Sequence, residues 1–228
     1  MARIVNEEEF ANRRNEILDV TYQLIYTRGY EKMTIQDILE QMKISKGAFY
    51  HYFDSKVELM EALVERMGMQ MEQLLQPLVD DPNLPALVKL QRFFDTGAQW
   101  KTARKELMLS LLRVWYHDDN LLVREKVRVI TFRKVQPLLT RIIEQGVCEG
   151  VMHTPYPALI SEVFLALSNG MTDTMVDMTL NAAAGTPVSL DSARAFVTMF
   201  TDSIERVLGI TPGTLIMMDD DMLKVWFG

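Results

Sequence analysis

Residues 34–59 read TIQDILEQMKISKGAFYHYFDSKVEL, and the punctuation of this stretch decides the fold. Thr34 followed three positions later by Asp37 is the spacing of a capping box, so a helix starts there. Its apolar positions, Ile35, Ile38, Leu39 and Met42, fall on one face. Ser45 offers a second N-cap almost at once, and Ser55 with Glu58 offers a third. The spacing predicts a short helix, a turn of about three residues and a second short helix, which is the rhythm of a helix-turn-helix.

The second short helix carries SKGAFYHYF, residues 45–53. Phe49 and Phe53 are four apart, so they share one face and belong to a core. Lys46, Gly47, Tyr50 and His51 then point mostly away from it. A glycine inside a helix costs about 0.8–1.0 kcal/mol relative to alanine. Gly47 makes sense where another surface must come close to the backbone. The helix N-terminus opened by Ser45 attracts phosphate. Tyrosine and histidine can donate to phosphate oxygens while keeping an apolar body against the protein. Lys56, at the start of the next helix, can meet the same backbone. Taken singly, each of these residues reads as part of a solvated helix end. The whole set in register reads as a nucleic-acid face.

Working outward, the pattern is helical nearly everywhere. Apolar positions from Phe10 through Ile17, Leu18, Leu24 and Ile25 predict a helix over about 8–28, with Gly29 as its cap. The helix from Lys56 is expected to stop near Gln76, before Pro77. Further helical segments are expected at roughly 84–101, 103–116, 120–147, 157–181 and 189–208. Pro137 should kink or break the third of these. Residues 182–188 read as a loop, and the tail from Thr211 is ambiguous. The expected class is all-α, with no alternating strand pattern. The expected division is a DNA-binding domain over 1–56, a larger helical domain over 57–210 and a C-terminal tail over 211–228.

The stretch 34–59 resembles the DNA-binding signature of the TetR family of transcriptional regulators, with Tyr50, Phe53 and Lys56 in register. Arg28-Gly29-Tyr30 before it, and Gln145-Gly146-Val147 with Glu149-Gly150-Val151 after it, are also similar to family habits. The resemblance covers roughly residues 10–60; beyond that it extends only to length and helical layout. It implies a ligand-responsive DNA-binding regulator, chiefly a repressor, that binds an operator as a homodimer and is released by a small effector. Carried over, Thr34 caps the first motif helix and touches phosphate. Ser45, Lys46, Gly47 and Ala48 face the major groove, while Tyr50, His51 and Lys56 hold the backbone. Lys43 stands where the family often has glycine, so the turn carries strain if its φ is positive. Leu39 replaces a usual alanine. The alternative reading is a helical enzyme or partner-binding scaffold that keeps the motif only for structure.

Composition bounds these readings. The 228 residues are 48% hydrophobic, enough for a sizeable core. A net charge of −7 argues against wholesale coating of nucleic acid but permits one local face. Residues 1–56 hold eight Lys/Arg against nine Asp/Glu, so binding must rest on placed contacts more than on a broad field. The one cysteine, Cys148, leaves no disulfide within the chain and fits a reducing cytosol. No apolar run reaches membrane-span length, and MARIVNEEEF lacks the basic and apolar pattern of a secretion signal. A cytoplasmic protein with no membrane partner is expected.

Trp100, Met108, Trp115, Phe132, Met171 and Met175 are candidates for an effector pocket, because aromatics and thioethers line adaptable apolar sites. Plain core is the competing reading for each. A lever is expected from the helix that starts at Lys56, about 30 Å long at about 1.5 Å per residue, tilted by a ligand near Trp100, Met108 and Trp115. The last two long helices are expected to make the homodimer. Ala166, Ser168 and Gly170 allow close approach there, and Phe196, Phe200, Ile204 and Val207 form a facing stripe. His117-Asp118-Asp119 and His153 lack the paired spacing of a metal site, so no metal or cofactor is expected. No nucleophile elbow or phosphate loop stands out, so no catalytic residue is assigned.

Overall fold

A computed structural model describes residues 7–116, 121–186 and 188–227. The described residues form ten helices and no strand. In chain order these are α1 (Glu7–Arg28), α2 (Ile35–Met42), α3 (Lys46–Tyr50), α4 (Lys56–Asp80) and α5 (Ala86–Thr102). There follow α6 (Lys105–Trp115), α7 (Leu121–Cys148), α8 (Pro157–Ala183), α9 (Leu190–Leu208) and α10 (Asp220–Phe227). The chain divides into two compact units: Met1–Met67 with Glu106–Ile130, and Gly68–Lys105 with Thr131–Gly228. The first unit is therefore larger than the expected 1–56, and the tail belongs to the second unit.

In the first unit α1 packs on α2. Ile17, Ile25, Ile38, Phe49, Leu59 and Leu63 are all removed from solvent. Each such side chain contributes about 1.5–3 kcal/mol on burial. This core seats the short α3, which is far too short to be stable alone. Thr21 is buried among apolar neighbours and donates its hydroxyl to the Ile17 carbonyl at 2.7 Å, so no polar group is stranded.

The second unit is built on Leu75, Val79, Leu90, Leu139, Ile142, Phe164, Phe200 and Ile204. Two prolines lie inside helices, the first of them against expectation. Pro77 lies inside α4, which runs on to Asp80. Pro137 lies inside α7, which continues from Leu121 to Cys148. An internal proline costs about 3 kcal/mol. Burial of Leu75 and Val79 around Pro77, and of Leu138, Leu139, Ile142 and Ile143 after Pro137, offsets that cost. Lys89 is buried and donates to the Val79 carbonyl at 2.6 Å, placing a cation at the C-terminal end of α4.

The tail is ordered by polar ties to α5 and α9. Glu205 is 1% exposed and accepts from the Gly213 and Leu215 amides at 2.8 and 2.7 Å. The Gln91 amide group both donates to the Ile216 carbonyl and accepts from its N–H, at 2.7 and 2.9 Å. α10 then buries Leu223 and Phe227 with Ala193 and Val197 of α9.

Candidate nucleic-acid interface

The helix-turn-helix forms as its caps dictate. Thr34 Oγ1 accepts from the Asp37 amide at 3.1 Å, and Asp37 Oδ2 accepts from the Thr34 amide at 2.8 Å. The Thr34 hydroxyl also donates to Asp37 at 2.7 Å, so its proton is already committed within the box. These hydrogen bonds from Thr34, and then the Arg28 guanidinium 2.7 Å away, hold the Asp37 carboxyl below its ordinary range. α2 ends at Lys43, whose φ of 53° and ψ of 44° are left-handed. The strain anticipated at this position is present: a side chain there costs roughly 1–2 kcal/mol. Its amide still closes the helix onto the Glu40 and Leu39 carbonyls.

Ser45 opens α3 by accepting from the Ala48 amide at 3.1 Å. Phe49 and Phe53 turn inward, with ring centroids 6.0 Å apart. The Arg14 guanidinium lies 4.8 Å from the Phe53 centroid and closes that side of the core. Ser45, Lys46 and Gly47 are exposed, Ala48 is half-buried, and Tyr50 is exposed with the Lys46 ammonium 5.8 Å from its ring centroid. His51 is exposed at the C-cap, edge-on to Phe10 at 5.5 Å. α1 thereby braces the end of α3, a contact with no local signal in the sequence. A Cβ added at Gly47 would meet nothing closer than Ser45 Oγ at 3.9 Å. The fold itself does not need a glycine here.

Ser55 and Glu58 form a displaced version of the expected capping box. Ser55 Oγ accepts from the Glu58 amide at 3.1 Å, but Glu58 reaches back to the Asp54 amide at 2.7 Å. Lys56 departs further from expectation. Its ammonium donates to the Tyr30 carbonyl at 2.7 Å and lies 4.2 Å from the Tyr30 ring centroid. Partial burial lowers its pKa. It is thus bound inside the first unit rather than held out toward solvent.

The proposed dimer residues divide. Ala166 and Gly170 are exposed on α8, beside exposed Leu159 and Val163. Ser168 is half-buried and donates to the Phe164 carbonyl. The facing stripe on α9 requires correction: Phe200 and Ile204 are 5% and 0% exposed in the chain's own core, with Phe196 and Val207 half-buried beside them. The reason is that residues 196, 200, 204 and 207 are the more apolar side of the helix, and the more apolar side goes to the core. The outer side is a shallow groove along α9, lined by Arg194, Ala195, Thr198, Met199, Asp202 and Arg206.

The six pocket candidates are divided between the two units. Met108 is buried in α6 and Trp115 is half-buried in the first unit. In the second unit Trp100 is half-buried beneath the Arg104 guanidinium, 4.5 Å from its centroid, and Phe132 is half-buried. Met171 packs on the main core, whereas Met175 packs on the small cluster under α10. His153 donates its amide to the Leu208 carbonyl at 2.9 Å. His117, Asp118 and Asp119 lie outside the described residues. No group of three or more His, Cys, Asp or Glu stands together among the described residues. No helix among them is long and apolar enough to cross a membrane.

Comparison with known proteins places this geometry. Residues 17–63 match the family model described as bacterial regulatory proteins, tetR family. The chain is 36% identical over 85 residues to an uncharacterized HTH-type transcriptional regulator in the lacX 3' region of Lactococcus lactis subsp. lactis, covering 37% of this chain and 43% of that protein. It is 25% identical over 81 residues to the HTH-type transcriptional repressor DhaR of Mycobacterium sp. (strain GP1), covering 36% and 41%. The chain spans less than half the length of these relatives. The crystal structure of the MbdR regulator from Azoarcus sp. CIB is similar in fold over 89% of this chain and 99% of that one, with a TM-score of 0.52 and 20% identity.

Proposed function

We propose that this chain, whose residues 17–63 match the family model described as bacterial regulatory proteins, tetR family, is a transcriptional regulator of that family reading duplex DNA with α3. The observation that carries this reading is Gly47. It is exposed on the outer side of α3, no atom of the described protein crowds it, and helix propensity disfavours it. A DNA backbone or base edge lying against α3 supplies the missing reason. Ser45, Lys46, Gly47 and Ala48 face the major groove in this reading, with Thr34, Tyr50 and His51 toward the phosphates. Thr34 must release its proton from Asp37, or serve only as the cap, to make its contact. Such a reader works in the cytoplasm, beside the chromosome.

Two-fold operators call for a dimer. The exposed Leu159, Val163, Ala166 and Gly170 on α8, with Ala195 and Met199 on α9, form the proposed self-contact. The regulator is a repressor, released by a small apolar or amphipathic effector. The half-buried Trp100, Phe132 and Met171 of the second unit are the candidates for contacting that effector there. α4, running from Lys56 to Asp80 across the division at residue 67, is the proposed lever.

The test is Gly47→Ala. This substitution should leave thermal stability unchanged or raise it, by at most about 1 kcal/mol. It should also weaken binding to a duplex selected from a randomised library. A motif kept only for structure predicts the stability change and no change in DNA affinity.

A further inference from the structure

Lys56 is joined to a turn, and that turn is joined to another helix. Its ammonium donates to the carbonyls of Tyr30 and Glu31 at 2.7 and 3.5 Å, and it sits on the Tyr30 ring. Tyr30 in return donates its hydroxyl to the Lys56 carbonyl at 3.4 Å. On the other side of the same turn, the Tyr30 amide donates to Ser110 Oγ of α6 at 3.4 Å. These groups all belong to the first unit. The turn is closed by a hydrogen bond from the Met33 amide to the Gly29 carbonyl at 3.1 Å, with Gly29 at a φ of 80°. Two donated hydrogen bonds and a ring face fill the environment of the Lys56 ammonium. A phosphate contact would have to give up part of that shell.

We propose that Lys56 is an internal tether rather than a phosphate ligand, and that Lys56, Tyr30 and Ser110 are positioning residues for DNA binding. The tether rests on the proposed DNA-reading function. It fixes the first turn of α4 to the α1–α2 turn. α3 ends only a few residues before Lys56, so the pose of the reading face follows the tether. Ser110 ties α6 to the same turn, and a displacement of α6 then reaches the reading face through Tyr30 as well as along α4.

Salt dependence separates a tether from a phosphate ligand. Each lysine–phosphate contact contributes about 0.9 to the slope of log K against log salt. The probe is a duplex recovered by selection with the wild-type chain from a randomised library, titrated over a range of salt. Lys56→Met should weaken binding by about tenfold or more, the order of one charge-assisted hydrogen bond, with the slope unchanged. Lys56→Gln, which keeps a neutral donor, should retain more affinity, again with the slope unchanged. Tyr30→Leu removes the ring face and the hydroxyl but keeps the backbone carbonyls, so it should weaken binding less than Lys56→Met, and the double variant should be little worse than Lys56→Met alone. Thermal unfolding of each variant identifies loss of fold. If Lys56→Met does not fold, Lys56→Gln decides by its slope alone. A slope lowered by about 0.9 for each lysine lost makes Lys56 a phosphate ligand and overturns the tether. Unchanged affinity in Lys56→Met overturns it equally. Failure of the wild-type chain to enrich any duplex would instead sink the DNA-reading function on which the tether rests.

Discussion

α3 and α9 each present two faces, and their sequences assign those faces with very different success. In α3 and the turn after it, the inner residues Phe49 and Phe53 and the outer residues Lys46, Gly47 and Tyr50 differ so sharply in polarity that the division is unambiguous. In α9 both sides carry apolar groups. The stronger stripe, Phe200 and Ile204 with Phe196 and Val207, is the core. The weaker one, Ala195 and Met199 among Thr198, Asp202 and Arg206, is what remains outside. A helix that serves both a core and a self-contact spends its largest side chains on the core. In the proposed dimer the self-contact is therefore the second-best stripe, which periodicity alone does not pick out.

The largest expected effects test that assignment. Phe49→Ala and Phe200→Ala should each cost about 3–5 kcal/mol in urea unfolding, since both rings are buried. By contrast, Met199→Asp should change protomer stability by no more than about 0.5 kcal/mol and should shift sedimentation toward monomer. Retained stability with loss of dimer in Phe200→Ala would reverse the faces of α9. Next in size is Lys46→Ala, which should alter base preference by roughly 1–3 kcal/mol if the lysine makes a good bidentate contact. Recovery of the unaltered consensus in a binding-site selection removes Lys46 from the readers. Smaller again is Lys43→Gly. It relieves a left-handed side chain worth roughly 1–2 kcal/mol but adds glycine's entropy cost of roughly 0.5–1 kcal/mol. A net gain below about 1 kcal/mol in thermal unfolding is expected.

The smallest effect concerns pH. The Asp37 pKa is lowered in the folded chain, chiefly by its hydrogen bonds from Thr34. Its stabilisation is therefore present above the ordinary carboxylate range and disappears as pH falls through the lowered folded value. Asp37→Asn should remove this component from the acid limb of the stability profile. An acid limb identical to wild type would show that the box contributes nothing there.

Legibility followed the distance over which a structural cause acts. The caps at Thr34 and Ser45 act over three residues, and both were readable from spacing. The left-handed Lys43 was legible through the resemblance, because a glycine is common at that place. Pro77 misled because the helix past it is held by Leu75 and Val79 packing on a core that no local window contains. The tie from Lys56 to Tyr30 spans 26 positions in sequence and left no local trace. The tail was unreadable for a related reason. Its order comes from Glu205, Gln91 and the α9 surface, while its own sequence offers only Leu223, Trp226 and Phe227 as a short apolar helix.

The central claim is that the outer face of α3 reads duplex DNA as part of a two-fold assembly. Selection from a randomised duplex library with the wild-type chain tests it most directly. The account predicts enrichment of a sequence with two-fold symmetry, its half-site centres about 34–36 Å or a multiple of that apart. The same selection with Gly47→Ala should enrich that sequence weakly. A wild-type pool indistinguishable from the input, or a Gly47→Ala pool identical to the wild-type one, would contradict it.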